Sequence, residues 1–166
     1  VRGKTLRSAL FRGNRRPPIL WGRDLDPRRQ SPVLPVTDLR DLPALHQLDH
    51  DRVGFEWLDV DNHQQSLIAF SRTGSRNESV VIVICNFTPA AREGYRVGVP
   101  FSGVYEERLN TDSEHYGGKN IGTPLGRARS EKKTAHGKSH SIVVRVPPLA
   151  TIFLTCKSVS SAPSSE

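Results

Sequence analysis

The sequence predicts an all-β fold, an antiparallel β-sandwich preceded by an irregular N-terminal extension, and three observations carry the prediction. Six apolar and mostly β-branched residues run from Val80 to Cys85, closed by Asn86 and then Pro89; at under two helical turns, the run reads as a strand covered on both faces. Tyr95, Val97 and Val99 alternate with Arg96 and Gly98, and Ile142, Val144 and Val146 with Val143 and Arg145, the period of strands. Short strand-like runs also follow one another closely with turn residues between them, the pattern of a sandwich.

Taken in order, residues 1–36 hold no sustained period, and Pro17, Pro18, Pro27, Pro32 and Pro35 interrupt any helix and strip ladder donors from any strand. This is read as an irregular, disordered basic segment, with Trp21 an isolated aromatic making a local contact. Thr37 or Asp38 is placed to cap a short helical turn through Leu39 and Leu42, limited by Pro43. Ala44, Leu45 and Leu48 then form a small apolar knot before the acidic run Asp49 to Asp51. A strand over Phe55 to Val60 sets Phe55 and Trp57 on one face and Leu58 and Val60 on the other. Leu67 to Arg72 follows the polar turn DNHQQ, and the loop TGSRNE leads into Val80–Cys85, with which Tyr95–Val99 is expected to pair as a central hairpin. Val104 to Leu109 carries Glu106, Glu107 and Arg108 and is assigned to a sheet edge, where charge discourages further pairing. Asn110 to Ser141, rich in Gly and charge, has neither period and is read as one long loop, functional or disordered. Ile142–Val146, a turn at Pro147-Pro148 and Thr151–Cys156 complete the six or seven strands, and SVSSAPSSE is a low-complexity tail.

The formal charge of +7 invites a nucleic-acid reading until it is divided along the chain. Residues 1–40 hold 10 Lys/Arg against 3 Asp/Glu, and the remainder holds 14 against 14. The part predicted to fold is therefore neutral, with no basic face for phosphates. Cys85 and Cys156 both sit in apolar runs, so buried free thiols in a reducing compartment are expected. No run is long enough to span a bilayer and no secretory signal is legible. The absence of Met, with Val at position 1, suggests a non-standard start or a chain cut from something longer.

Candidate chemistry is sparse. His46 and His50 are four apart, as are His136 and His140, a spacing that on a helix sets two imidazoles on one metal. Pro43 and the acidic run leave the first pair at most one turn, and Gly137 interrupts the second, so no metal site is expected. Glu106 and Glu107 point to opposite faces of a strand and cannot flank one bond. The glycines of Tyr116 to Gly122, YGGKNIG, lack the strand and helix of a phosphate cradle. Tyr116 is expected to pin its own loop rather than stack on a sugar, and Trp57 to be core rather than a platform. The residues alone thus point to an all-β accessory or binding domain, with no catalytic residue, cofactor or metal, and they name no substrate-binding position.

Six stretches then carry a resemblance: DLPALHQLD at 41–49, GFEWLDVD at 54–61, VICNFTPAAREGYRVGVP at 83–100, LNTDSEHYGGKNIG at 109–122, HGKSHS at 136–141 and PPLATIFL at 147–154. In this order and spacing, Asp38 to Cys156 resembles the C-terminal part of bacterial 1,4-α-glucan (glycogen) branching enzymes of the α-amylase superfamily. The resemblance implies that residues 37–61 are the exit from a catalytic barrel and a linker, 62–157 the C-terminal all-β domain and 158–166 a disordered tail. It implies a glycosyltransferase of glycogen biosynthesis, forming α-1,6 branches, whose catalytic carboxylates lie in barrel segments with no match here. A fragment of such an enzyme, inactive alone, is the expected identity; the alternative is a free-standing glucan-binding or interaction module. The implied partners are α-glucan and a barrel in cis or in trans, with no nucleic acid, no membrane and no cofactor, and the implied location is cytoplasmic. Before Thr37 the chain departs from the family's pattern.

Overall fold

Burial with a period of two runs through the strands and sorts them into two layers. The computed structural model describes residues 42–75 and 79–157. The predicted basic segment 1–36, the capping residues Thr37 and Asp38 and the tail 158–166 lie outside the described residues. The strands are β1 (Phe55–Asn62), β2 (Leu67–Thr73), β3 (Ser79–Asn86), β4 (Arg92–Val99), β5 (Val104–Asn110), β6 (Arg127–Arg129), β7 (His140–Val146) and β8 (Thr151–Lys157). Six form one sheet in the order β1-β2-β3-β8-β5-β6, and β4 pairs with β7 as a second, two-stranded sheet. All pairings are antiparallel. The sandwich core lies between them: Ile82, Ile84, Ile152 and Leu154 from the large sheet face Val97, Val99, Ile142 and Val146 from the small one.

β3 is the centre of the large sheet, as its unbroken apolar run predicts. Its even-numbered side chains enter the sandwich core, while Val81 and Val83 are buried on the outer face under Ala44. Ile82 has no exposed surface and sits in register between Ser71 and Leu154. Replacing it with Ala is expected to cost about 2 to 5 kcal/mol, the sum of lost burial and a residual cavity. Chemical denaturation of the two proteins measures this, and a loss under about 0.5 kcal/mol would show that the strand is not central.

Three expectations are corrected. β4 does not pair with β3. Both edges of β3 are taken by β2 and β8, and the chain leaves the sheet at Asn86, whose buried amide donates to Ala90 O and Pro147 O, both at 2.8 Å, and accepts from Thr88 N at 3.0 Å. β5 is not an edge strand, because β6 covers its far side and Glu106 pairs with Arg127 across that ladder at 3.1 Å; Glu106 and Arg108 mark an outward face rather than a free edge, while Glu107 points inward. Asn110–Ser141 is not structureless: Ser113 caps the 3-10 turn Glu114–Tyr116, a second turn spans Pro124–Gly126, and β6 follows. Pro43 opens the 3-10 turn Pro43–Leu45, where its missing N–H is no loss, while the turn expected through Leu39 lies outside the described residues. The large sheet also takes in β1, a segment the sequence reading assigns to the barrel exit.

Candidate functional site

Two surfaces stand out, one apolar and one polar. On the outer face of the large sheet, Ala44, Val81 and Val83 are buried, with Leu42, Leu45, Phe70, Cys85 and Phe153 half-buried against them. Phe55, Trp57 and Phe70 extend this face toward β1, with ring centroids 4.9 to 5.8 Å apart; Trp57 meets both phenylalanines edge-to-face, an arrangement that adds to simple burial. Trp57 is nevertheless 51% exposed. Its expected place in the core is therefore corrected: it shares a face with Phe55, as the alternation predicts, but that face is the outward one. Between Leu42–Ala44 and β5 runs a groove of about 510 Å³, floored by Val81 and Thr155 and bordered by Glu106 and Arg108.

The polar surface is a cleft of about 550 Å³ where the free side of β1 approaches β4. Each strand carries an extra residue just before the side chain it contributes. In β1 two residues, Trp57 to Asp59, span one step of β2, which puts the consecutive Leu58 and Asp59 both on the inner side; in β4 the step from Arg92 to Tyr95 spans only Val146 to Val144. Such bulges re-aim side chains, and Gly94, at φ +67°, takes the left-handed position that a larger residue would resist. The Tyr95 hydroxyl donates to Asp59 Oδ2 at 2.7 Å, and Asn62 Nδ2 donates to the same oxygen at 2.9 Å. Burial, then this bond and the Asp59 charge, push the Tyr95 hydroxyl well above its usual range, so it remains a donor. The loop from Glu131 to His140 straps the opening. Gly98 N–H donates to His136 Nδ1 at 3.2 Å, His136 Nε2 lies 3.7 Å from Asp59 Oδ2, Lys138 Nζ grips Glu56 at 2.6 and 2.7 Å, and Arg96 meets Glu131 at 2.8 Å. The bond from Gly98 leaves the neutral ring's proton on Nε2, facing the carboxylate.

A third polar node is sealed inside. Glu107 is 4% exposed; Asn110 Nδ2 donates to Oε1 at 3.1 Å and Thr123 N–H to Oε2 at 3.3 Å, while Asn110 Nδ2 also holds Ile121 O at 2.7 Å. This closes the 110–123 loop on β5. Burial pushes the carboxyl above its ordinary value of 4.5, and the donors from Thr123 and Asn110 oppose the rise only in part. The folded state thus holds this proton more tightly than the unfolded chain. The stabilisation it brings is complete below the unfolded value and is lost as pH rises through the folded one. Glu107→Gln turns an amide N–H₂ toward one of these donors, so the variant is expected to be less stable, with its deficit narrowing from acid to neutral pH. Paired thermal melts across that range check this, and a gap independent of pH would contradict it. Cys156, also buried, has its thiol pushed up by burial, then pulled down less strongly by Tyr105; Cys85 is half-buried on the outer face.

The predicted candidates separate accordingly. His46 lies in a turn at the outer face and His50 is exposed, while His136 anchors the strap and His140 opens β7 with its ring beside Ser139; neither pair acts as the spacing alone suggests. Among the described residues no three His, Cys, Asp or Glu side chains gather as a metal site, and no helix is long and apolar enough to cross a membrane. Glu106 and Glu107 do face opposite ways, one half-exposed and one buried. Tyr116 packs edge-to-face on His115 at 5.1 Å within its own loop, and Asp112 holds the Gly-rich run by accepting from Lys119 N and Ile121 N. The cleft's Asp59, Asn62, Tyr95 and His136 were legible only as an alternation fault, the adjacent Leu58-Asp59, and as the lone Gly94.

A family profile described as alpha amylase, C-terminal all-beta domain, matches residues 57–157. Among curated proteins the chain is similar to the 1,4-alpha-glucan branching enzyme GlgB of Rhodospirillum rubrum, at 47% identity over 123 residues, which is 72% of this chain and 16% of that protein. It is similar also to the enzymes of that name from Rubrobacter xylanophilus, at 46% over 123 residues with 72% and 17% covered, and Burkholderia thailandensis, at 42% over 136 residues with 80% and 16% covered. The chain spans about one-sixth of the length of these relatives.

Proposed function

This chain belongs to the alpha amylase C-terminal all-beta domain family, and we propose from that premise that it serves a glucan-branching glycosyltransferase as its sandwich, without a catalytic or metal-binding residue of its own. The observation that carries the reading is the outer face of the large sheet. An apolar surface running from Leu42 to Trp57, contiguous and partly exposed, marks a place for another body of protein. It includes Leu42, Ala44 and Leu45, which belong to the segment read as the exit from a barrel. The partner is accordingly a catalytic barrel, in cis or in trans, with α-glucan its substrate, in the cytoplasm and with no role for nucleic acid, membrane or cofactor. Residues 62–157 are assigned to the domain and 37–61 to its approach, the end of which, from Phe55, joins the large sheet as β1.

Cys85 makes the test direct, since its half-buried thiol lies on that face. Mixed with a separately expressed branching-enzyme barrel, the chain is expected to restore branching of amylose while alkylation of Cys85 slows and Trp57 fluorescence shifts. Restored activity with unchanged Cys85 reactivity would move the contact elsewhere; neither effect would sink the reading. A second reading, a free-standing module that binds glucan, is favoured by the polar cleft on the other side of β1, and retention on immobilised glycogen tests it.

A further inference from the structure

We infer that the cleft between β1 and β4 is a binding site for a short stretch of α-1,4-glucan, with Asp59, Asn62, Gln65 and Arg92 meeting its hydroxyls. The inference deepens the glucan-binding reading and rests on it for the choice of sugar; the chemistry of the site comes from the cleft itself. Its lining balances Asp59 and Glu93 against Arg92 and Arg96, so it favours neither a cation nor an anion. Its ionisable and amide groups are planar: two carboxylates, two amides, two guanidiniums and an imidazole. Planar groups of this kind present paired donors or acceptors, the arrangement that matches two neighbouring hydroxyls on a sugar ring and has no use for a lipid chain. At about 550 Å³ the space lies within the range of small-molecule clefts, about 300 to 1,000 Å³.

Hydrogen-bonding capacity is also left over. Asp59 spends Oδ2 on Tyr95 and Asn62, and among the described residues Oδ1 accepts from no one. Arg92 spends Nη2 on Gln65 O at 2.9 Å and Thr88 Oγ1 at 3.3 Å and keeps Nη1 unspent. Gln65 accepts from Asn62 through Oε1 and leaves its N–H₂ to solvent. Asp59, Asn62 and Tyr95 are held in place before any ligand arrives by the two bulges, the Tyr95 bond and the strap through His136, and a preformed site gives up less freedom on binding.

The test titrates the ¹⁵N-labelled full chain with maltoheptaose and, separately, with the β-1,4-linked cellohexaose, while retention on glycogen is measured in parallel. Saturable shifts centred on Asn62, Gln65 and Gly94 with maltoheptaose are expected, with little response to cellohexaose. Asp59→Asn keeps an acceptor for Tyr95, and Gln65→Ala changes an exposed residue; each is expected to weaken binding about tenfold while the melting temperature stays close to that of the parent. Retention on glycogen with shifts confined to Trp57 and its neighbours, or an equal response to both sugars, would overturn the cleft and leave the glucan-binding reading standing. No retention and no shifts would overturn both.

Discussion

Incubated with amylose, the purified 166-residue chain is expected to form no α-1,6 linkages above a no-protein blank. Glycosyl transfer with retention needs a carboxylate nucleophile and a second carboxyl as acid and base, about 5 to 5.5 Å apart across the scissile bond. The carboxylates that structure the described residues are committed elsewhere. Glu107 is sealed under Asn110 and Thr123, Asp59 is held by Tyr95 and Asn62, Glu93 by Arg145 at 2.5 Å, Glu56 by Lys138 and Glu106 by Arg127. Asp59 and Glu93 do line one cleft, but Asp59 is fixed through Oδ2 by Tyr95 and Asn62 and Glu93 is paired with Arg145, so a sugar bound there meets groups suited to holding rather than cutting. Lacking such machinery costs many orders of magnitude in rate. Debranching followed by chain-length analysis measures the outcome, with an intact branching enzyme as control. New branches made by this chain alone would refute the assignment of catalysis to a partner.

Gly98→Val is expected to be among the most damaging single changes to the fold. A Cβ at this position would stand 2.0 Å from Ala135 O and 2.9 Å from its carbonyl carbon, with Lys138 Cβ at 3.2 Å. The first two are backbone atoms, so no side-chain rotation relieves the overlap. Either the strap lifts off β4, losing the Gly98 N–H bond to His136 and the approach of His136 to Asp59, or β4 shifts against β7. Roughly 3 to 5 kcal/mol is the expected loss, at the upper end for point changes. Urea denaturation gives the magnitude, and loss of the His136 ring contact with Tyr95, now at 6.4 Å between centroids, shows which of the two gave way. A loss below about 1 kcal/mol would mean the strap is dispensable.

The strands were legible in the residues wherever apolar side chains repeat every second position, because burial is what that repeat records. Pairing was less so. Tyr95–Val99 and Val80–Cys85 read as neighbours because the sequence shows proximity along the chain, whereas the polar hinge at Asn86 and Pro89 that sends β4 to the other sheet acts through contacts with Ala90 and Pro147. Three-residue β6 carries too little pattern to be seen. Trp57 looked like core because its size favours burial; nothing local distinguishes an inner from an outer face. The cleft was hidden for a different reason. Its side chains come from residues 59–65, 91–96 and 136, segments with no common spacing, and only the fold brings them together.

The strap has a consequence for crowding. β1 ends the large sheet on one side, and an uncovered strand of eight residues there would offer its unpaired backbone to the same strand of another molecule, the first step of a cross-molecular ribbon. Lys138 on Glu56 and His136 beside Asp59 lay a charged, kinked loop along that border, while the opposite border is only Arg127–Arg129, too short and too basic to template growth. Both ends of the large sheet thus present charge or too short a strand to the same sheet of a second molecule, which disfavours edge-to-edge pairing around so apolar a central strand.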